Sequence, residues 1–368
     1  MIGIDIGGAN LKVVDDAGVH IHYCPLWQGA PLAGLLEPYA GSAAVVMSGE
    51  LADCFSTKIE GIRWIVGTVQ EAIPDAAFYG TDAAFHTRPV PGLAAANWLA
   101  SADYLREEYA DAVLLDVGST TADVIPLTRF ENLKGLTDTR RLQKQYLVYT
   151  GMLRTNVATL LSSVTLDGTV TPVSTEYFAA SADAHLVLGH IAPADYTCPA
   201  PDNGEKTVDA ALRRLARVVC ADIDEIGKSG AHQVARQFWE VQRRVIGRAV
   251  GRALFQGDAE RVITAGIGAD LFARELGCAT LAQEIGEVSD ALPAYAVRGW
   301  RYGEPPATDP PFACGVRCRH GSLVRPRVSV LLPPSSYTAD TVLWKAPCRE
   351  ALPGLRVGDH RRRALLPL

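Results

Sequence analysis

Two acidic residues, Asp5 and Asp116, each stand one apolar residue ahead of a glycine, in DIGGANLK and DVGSTTAD. A carboxylate at the end of an apolar strand, followed by a glycine turn, suits a phosphorylated ligand. The turn's N–H groups can approach an anion closely where no Cβ blocks them, and glycine admits positive φ. The carboxylate can share Mg²⁺ with ligand phosphates, since that ion prefers one or two carboxylates plus phosphate oxygens and water. Asp5 and Asp116 are therefore the expected metal ligands. Gly7, Gly8, Ala9 and Asn10 of the first turn, and Gly118, Ser119, Thr120 and Thr121 of the second, are the expected phosphate-binding residues. Lys12 is placed to neutralise phosphate charge. Asp123, at the far side of the second turn, suits either cation coordination or general-base chemistry. The first motif alone reads equally well as an ordinary hairpin with a surface aspartate; its recurrence about 110 residues later shifts the reading to a duplicated domain.

A third glycine turn, Thr264-Ala265-Gly266-Ile267-Gly268-Ala269, joins an apolar strand to a helix and offers a backbone shelf for a nucleotide base or other flat group. Glu50 and Asp53 flank the start of a segment containing Cys54, where they either line the cleft or belong to a capped helix start with a buried cysteine. His185 and His190 lie five apart, off the spacing of a helical metal pair, and are expected to be structural or on the surface. Cys314, Cys318 and His320 have no clear second ligand pair for zinc.

The elements that must position these groups follow from periodicity. IGIDIG, LKVVDD and HIHYC read as a three-strand antiparallel meander, followed by a strand at AAVVMS, a helix near 57–72, a strand at AAFYG and a helix at 94–108. DAVLLDVGSTTADVIPL restarts the strand, turn and strand order. Helices are expected at 207–226 and at 234–254, the second with Val234, Phe238, Val241, Val245, Ala249 and Leu254 on its core face. The length of 368 residues predicts two domains, 1–110 and 111–297. Residues 298–368 hold 12 of the 35 basic, 5 of the 41 acidic and 10 of the 22 proline residues. They read as a flexible or partner-binding tail, a loosely packed extension, or an out-of-frame stretch.

The net charge of −6 argues against a nucleic-acid partner. No segment reaches the roughly 20 unbroken apolar residues of a membrane span. The opening MIGIDIGG shows no export signal, so the cytoplasm is the expected compartment. Eight scattered cysteines do not make a disulfide framework and read as reduced thiols.

DIGGANLK, DVGSTTAD and TAGIG resemble the two phosphate signatures and the adenosine signature of the actin, heat-shock and sugar-kinase superfamily, and within it the hydantoinase and oxoprolinase group. That likeness implies an α/β protein of two duplicated ribonuclease-H-like domains around a central cleft. Met47-Ser48-Gly49-Glu50-Leu51-Ala52-Asp53-Cys54-Phe55, Tyr79-Gly80-Thr81, Asn97-Trp98, Gly151, Arg154 and Thr155 resemble one branch more narrowly. This is the methanofuran-biosynthesis synthase family, whose bacterial members are described as tetrahydromethanopterin-linked one-carbon transfer proteins. The resemblance covers residues 1–297 and implies condensation of an aminomethylfuran methyl diphosphate with a glutamyl-tyramine-type phenol. Diphosphate would be released, with Mg²⁺ present, ATP possible but not required, and Asp5 and Asp123 as catalytic groups. It also implies a closing apolar helix continuing from ALPAYAV, lost here beyond Val297. The expected partner is a small phosphorylated molecule, with a homodimer possible. An ATP-dependent hydantoinase-like hydrolase or small-molecule kinase, and a non-catalytic phosphate sensor or scaffold, stand as alternatives.

Overall fold

The computed structural model describes residues 1–299, and the readings placed on the tail and on Cys314, Cys318 and His320 lie outside them. The first sheet has the order β3-β2-β1-β4-β5-β6, formed by Ile2–Ile6, Asn10–Asp15, Gly18–Tyr23, Ala43–Met47, Ala76–Tyr79 and Phe85–His86 as β1 to β6. Every residue of β1 and β4 is buried, as expected of strands covered on both faces, although Asp5 interrupts the apolar run of β1. β1 pairs antiparallel with β2 and parallel with β4.

Three helices belong to this half: α1 (Leu32–Leu36), α2 (Lys58–Ala72) and α3 (Asn97–Leu105). Thr57 caps α2, its hydroxyl accepting from the Glu60 N–H, and Ile62, Ile65, Val66 and Val69 bury one face. α3 is shorter than the 94–108 expected. Ala94 is extended and Ala95 has φ 47°, so the chain turns before it can enter the helix.

The second sheet has the order β13-β12-β7-β8-β9, from Ala112–Val117 (β7), Ala122–Pro126 (β8), Leu147–Val148 (β9), Arg261–Ala265 (β12) and Ala279–Thr280 (β13). A separate hairpin, β10 (Ser163–Leu166) with β11 (Thr169–Pro172), lies between. β7 repeats the surroundings of β1, with an antiparallel partner reached through a glycine turn and a parallel partner on its other side. The register repeats as well: Asp5 faces Lys12 in one ladder, and Asp116 faces Asp123 in the other. The chain is thus an α/β protein whose two sheets are built on one duplicated hairpin.

The helices of this half are α4 (Asp138–Lys144), α5 (Val157–Leu160), α6 (Ser181–Val187), α7 (Val208–Arg217), α8 (Ile223–Gly257), α9 (Ala269–Leu276), α10 (Ala282–Ile285) and α11 (Leu292–Arg298). The helix expected at 207–226 is two. Cys220 takes φ 59°, Asp222 caps a new helix by accepting from the Glu225 N–H, and Gly227 at φ 66° breaks its first turn. The buried stripe of α8 also differs from the expected one. It runs through Val234, Phe238, Gln242, Ile246, Ala249 and Ala253, leaving Val241, Val245 and Leu254 only partly covered. A glutamine can occupy this core position because Thr150, Gly151 and His185 satisfy its amide.

α11 returns from the second half to pack on β1, β4 and α3, and contributes Leu292, Ala296 and Val297 to a core shared with Trp98, Leu99, Leu114, Ile125 and Ile263. ALPAYAV therefore begins a helix within the described residues. Among these residues no helix is long and apolar enough to cross a membrane.

Contact between α11 and β1 depends on Gly3, where an added Cβ would stand 1.9 Å from the Ala294 carbonyl oxygen. Backbone cannot yield as a flexible side chain does. Gly3→Ala should destabilise by about 3 kcal/mol, the upper end of ordinary overpacking, whereas Gly67→Ala, in α2 with open space around it, should stabilise by up to about 1 kcal/mol. Urea unfolding of the two variants checks both signs.

Candidate active site

Both glycine turns close in the same way, Gly7 N–H donating to the Asn10 carbonyl and Gly118 N–H to that of Thr121, each at 2.9 Å. Neither Gly7, Gly8 nor Gly118 has a positive φ, so left-handed backbone is not why they are glycines. At Gly7 a Cβ would come within 3.2 Å of the Asn10 carbonyl oxygen, while Gly8 faces open space that a side chain would fill. The turn residues from Gly7 to Asn10 and from Gly118 to Thr121 are half-buried, reachable from solvent yet fixed by the strands behind them.

The turns bring three carboxylates together. Asp5 is buried, 6% exposed, with Oδ1 unpartnered, and burial lifts its pKa to about 6 while Lys12 pulls the other way and Asp123 adds to the rise. Asp116 is pushed up to about 7 by burial and then by Asp123; Lys12 opposes this, and Asp5 and Asp290 add to it. Mutual repulsion shows that these groups share one acidic floor. Lys12 rises from β2 beside it and donates to the Asp290 carbonyl at 2.6 Å.

Asp123 also rises with burial, but Arg141 opposes the change. The Arg141 guanidinium, 3% exposed, donates through Nη2 to Asp123 Oδ1 and through Nη1 to Asp138 Oδ1 at 3.0 Å, and lies 4.3 Å over the Trp98 ring. Asp138 is 3.8 Å from Lys58 Nζ, which is also 3.8 Å from Glu50 Oε1. A line of alternating charge thus runs from the second hairpin, through α4, to the start of α2 and to Glu50, three residues past β4. Sequence reasoning missed Arg141, Asp138 and Lys58. Lys58 opens α2 and Asp138 and Arg141 lie in α4, without a motif to mark them.

Glu50 belongs to this line; Asp53 does not. Glu50 is 1% exposed with Oε2 unpartnered, and burial raises its pKa against the pull of its own backbone N–H, Lys58 and the Ala95 N–H, with Asp138 adding to the rise. Asp53 and Cys54 are both exposed, so the expected buried cysteine is not found, and Thr57 rather than Asp53 caps the helix.

The third turn folds against the second. Gly266, at φ 78°, has no room for a Cβ, which would lie 2.3 Å from Asp116 Oδ1, and the Gly268 N–H donates to the Val117 carbonyl at 3.0 Å. Ala265 is buried under it and Ile267 is half exposed. Gly266 and Gly268 thereby hold the Asp116 backbone and carboxylate in place.

Residues 149–155 support the second turn from behind. Met152 N–H donates to the Gly118 carbonyl, and the Leu153 and Arg154 N–H groups donate to that of Ser119. Gly151 lies so close that a Cβ would be 2.6 Å from Thr120 backbone atoms. This segment is in turn held by Gln242, whose amide donates to Thr150 Oγ1 and the Gly151 carbonyl, both at 2.9 Å, while its oxygen pairs with His185 Nε2 at 2.9 Å. His185 is fully buried, and burial followed by its contact with His190 lowers its pKa to about 3, so it stays neutral and structural.

Among the described residues no group of three or more His, Cys, Asp or Glu side chains is placed to hold a metal ion by itself. Asp5 and Asp116 fit a cation that takes its remaining oxygens from a ligand and water. The free Asp5 Oδ1 and the repulsion between the carboxylates fit such an ion, which would satisfy the first and relieve the second.

The duplicated hairpins, with a carboxylate at each turn, define a two-sheet α/β protein. The chain belongs to the hydantoinase/oxoprolinase family, which it matches over residues 42–297. Within that family it is 34% identical over 316 residues to (4-{4-[2-(gamma-L-glutamylamino)ethyl]phenoxymethyl}furan-2-yl)methanamine synthase of Methanocaldococcus jannaschii, covering 81% of this chain and 96% of that protein. It is 30% identical over 179 residues to the protein of the same name from Methanococcus vannielii, covering 49% of this chain and 81% of that one. Both relatives are named as synthases, and this chain is an enzyme of their family. Among solved structures it is similar to a nucleotide-free acetone carboxylase at 12% identity and TM-score 0.38, covering 79% of this chain and only 51% of that one, so it spans about half that length. It is also similar to a non-polymerising MamK mutant bound to AMPPNP, at 10% identity and TM-score 0.35, covering 80% of this chain and 96% of that one.

The charge burden on Asp5 has a stability cost with a definite sign. Its pKa of about 6 in the fold lies above the 3.8 of an ordinary aspartate, so the fold binds the proton more tightly than the open chain does, and stability falls as pH rises between about 4 and 6. Asp5→Asn should therefore be more stable than the parent at pH 8 by roughly 3 kcal/mol, since a tenfold change in proton affinity corresponds to about 1.4 kcal/mol, and no more stable at pH 4. Urea midpoints at the two pH values provide the check.

Proposed function

We propose that the protein is a transferase of methanofuran-type cofactor biosynthesis, acting in the cytoplasm in the tetrahydromethanopterin-linked one-carbon pathway. It joins an aminomethylfuran methyl diphosphate to the phenol of a glutamyl-tyramine-type acceptor and releases diphosphate. The observation that carries this reading is the pair of like-registered turns with Asp5 and Asp116 at their strand ends. The names and extent of similarity of its relatives support the same reaction.

The turn amides from Gly8 to Asn10 and from Ser119 to Thr121, with the Ser119, Thr120 and Thr121 hydroxyls, donate to the diphosphate oxygens, while the Gly7 and Gly118 N–H groups close the turns. Donors fixed before the reaction stabilise the charge that grows on a leaving group without having to reorganise. Lys12, close to Asp5 and Asp116, adds one positive charge. One lysine cannot balance a diphosphate over three carboxylates, and Mg²⁺ held by Asp5 and Asp116 would supply the missing charge and polarise the leaving oxygen. Asp123, with Oδ1 tied to Arg141, keeps its carboxylate beside Asp116 and sets the field in which the cation sits. Gly266 and Gly268 act as supports of Asp116, and ATP has no required role.

Purified protein should release diphosphate from the furan substrate only when the phenol is present, should stop on chelation and should recover with Mg²⁺. Release of phosphate from ATP, coupled to a hydantoin or oxoproline and independent of the furan substrate, would replace this reading with the hydrolase one. Lys12→Met should reduce kcat by at least tenfold, equivalent to about 1.4 kcal/mol of lost transition-state stabilisation, with the fold retained by circular dichroism.

A further inference from the structure

Trp27 and Arg154 are anchored on opposite glycine turns, and their side chains meet. Trp27 follows Leu26, whose N–H donates to the Gly8 carbonyl at 3.0 Å, and the Cys24 N–H donates to that of Ala9 at 2.9 Å. The segment carrying Trp27 is therefore bound to the first turn. Arg154 is bound to the second, its N–H donating to the Ser119 carbonyl at 3.0 Å. From there its guanidinium reaches to 4.8 Å from the centre of the Trp27 ring. The pair bridges the two hairpins beside the turn residues that would hold phosphate.

The pairing of this guanidinium is incomplete. Among the described residues the Arg154 side chain meets the Trp27 ring but no carboxylate or carbonyl oxygen, and Arg154 is exposed while Trp27 is half-buried. Arg141 and Arg214, by contrast, each hold carboxylates. Attraction to a ring face is weak at an exposed site, and it leaves the N–H donors uncommitted. An anion with two oxygens in one plane can pair with that fork bidentately and more strongly. Arg154 also opposes the rise in the Tyr177 pKa that burial, Cys198 and Asp183 cause, so Tyr177 is a second aromatic neighbour and not a counter-ion. Lys12 is the cation felt by Asp5. A diphosphate with its inner phosphate at the carboxylate floor extends its outer phosphate away from Lys12, and there a further cation is needed. Gly8 leaves room for it, since a Cβ there would meet nothing within 4 Å.

We propose, resting on the transferase reading above, that Arg154 is a substrate-binding residue that takes an oxyanion at the mouth between the two turns. Its guanidinium leaves the Trp27 face as it does so. Two substrate groups have that chemistry, the outer phosphate of the diphosphate and the carboxylate of the glutamyl acceptor. Anchorage beside Ser119 and Gly8 favours the phosphate. Arg154 binds and orients; no bond forms or breaks at it.

The test is titration of the full-length protein with inorganic diphosphate in the presence of Mg²⁺, followed by calorimetry and tryptophan fluorescence. Arg154→Gln should weaken diphosphate binding by about tenfold or more, the scale of a lost charge-assisted pair, and leave orthophosphate binding nearly unaffected. Arg154→Lys should recover part of the loss. Diphosphate should alter the tryptophan emission of the wild type, and Trp27→Phe should remove that change while diphosphate still binds. Should the carboxylate be the anion, Arg154→Gln will keep its diphosphate affinity and raise KM for the glutamyl acceptor but not for tyramine, which supports the site and reassigns its ligand. An Arg154→Gln protein that folds, by circular dichroism, with diphosphate affinity and acceptor KM both unchanged overturns the proposal. So does an equal loss for diphosphate and orthophosphate together with a lower urea midpoint, the mark of a staple between the hairpins. Wild-type protein that binds diphosphate through Arg154 yet forms no ether overturns the transferase reading and leaves the anion site standing.

Discussion

Three carboxylates held at the ends of strands, with little water around them, set the terms for the rest of this molecule. Asp5, Asp116 and Asp123 repel one another, and burial removes the solvent that would screen them. Such an arrangement persists only where the backbone over-determines it and nearby cations relieve it in part. Lys12 does so from the first hairpin and Arg141 from α4, one on each side of the floor. Neither cancels the charge, and the remainder keeps the pKa values of Asp5 and Asp116 raised.

The scaffold answers this burden with rigidity. β1 and β7 are central strands, each flanked on both sides, so their ends have little freedom to move. The second turn is clamped by the third through Gly266 and Gly268, and by residues 149–155, which are fixed in turn by Gln242 and His185. The first turn is clamped by Gly49 and the Ser48 backbone. Glycine recurs at these contacts mainly because backbones approach too closely for a Cβ, and only at Gly266 is a left-handed conformation also involved. α11 adds the last constraint, returning across the shared core to lie on β1.

The ion-pair line from Asp123 through Arg141, Asp138 and Lys58 to Glu50 joins residues far apart in the chain. Substituting any member changes the electrostatics of both hairpins' surroundings. A partly exposed line of this kind contributes little net stability, because solvent screens Lys58 and Asp138 and desolvation offsets the attraction at its buried members. Its value lies in fixing which carboxylates are engaged and which remain free.

Much of this was legible from the chain alone. A carboxylate, an apolar residue and a glycine, repeated with the same spacing, identify the duplicated hairpins because strand periodicity and turn chemistry are local. Asp5, Asp116, Lys12 and the turn residues follow directly. The helix breaks at Cys220 and Gly227 did not, since left-handed backbone at a cysteine leaves no mark in composition. Nor did the displaced stripe of α8, because a core glutamine is intelligible only once Thr150, Gly151 and His185 are seen to satisfy it. Glu50 and Asp53 look alike in the sequence, three residues apart with similar chemistry. Only the fold buries one against the first turn, exposes the other, and brings Arg141, Asp138 and Lys58 to connect the two hairpins, because burial and charge pairing between distant segments are properties of packing, not of local order.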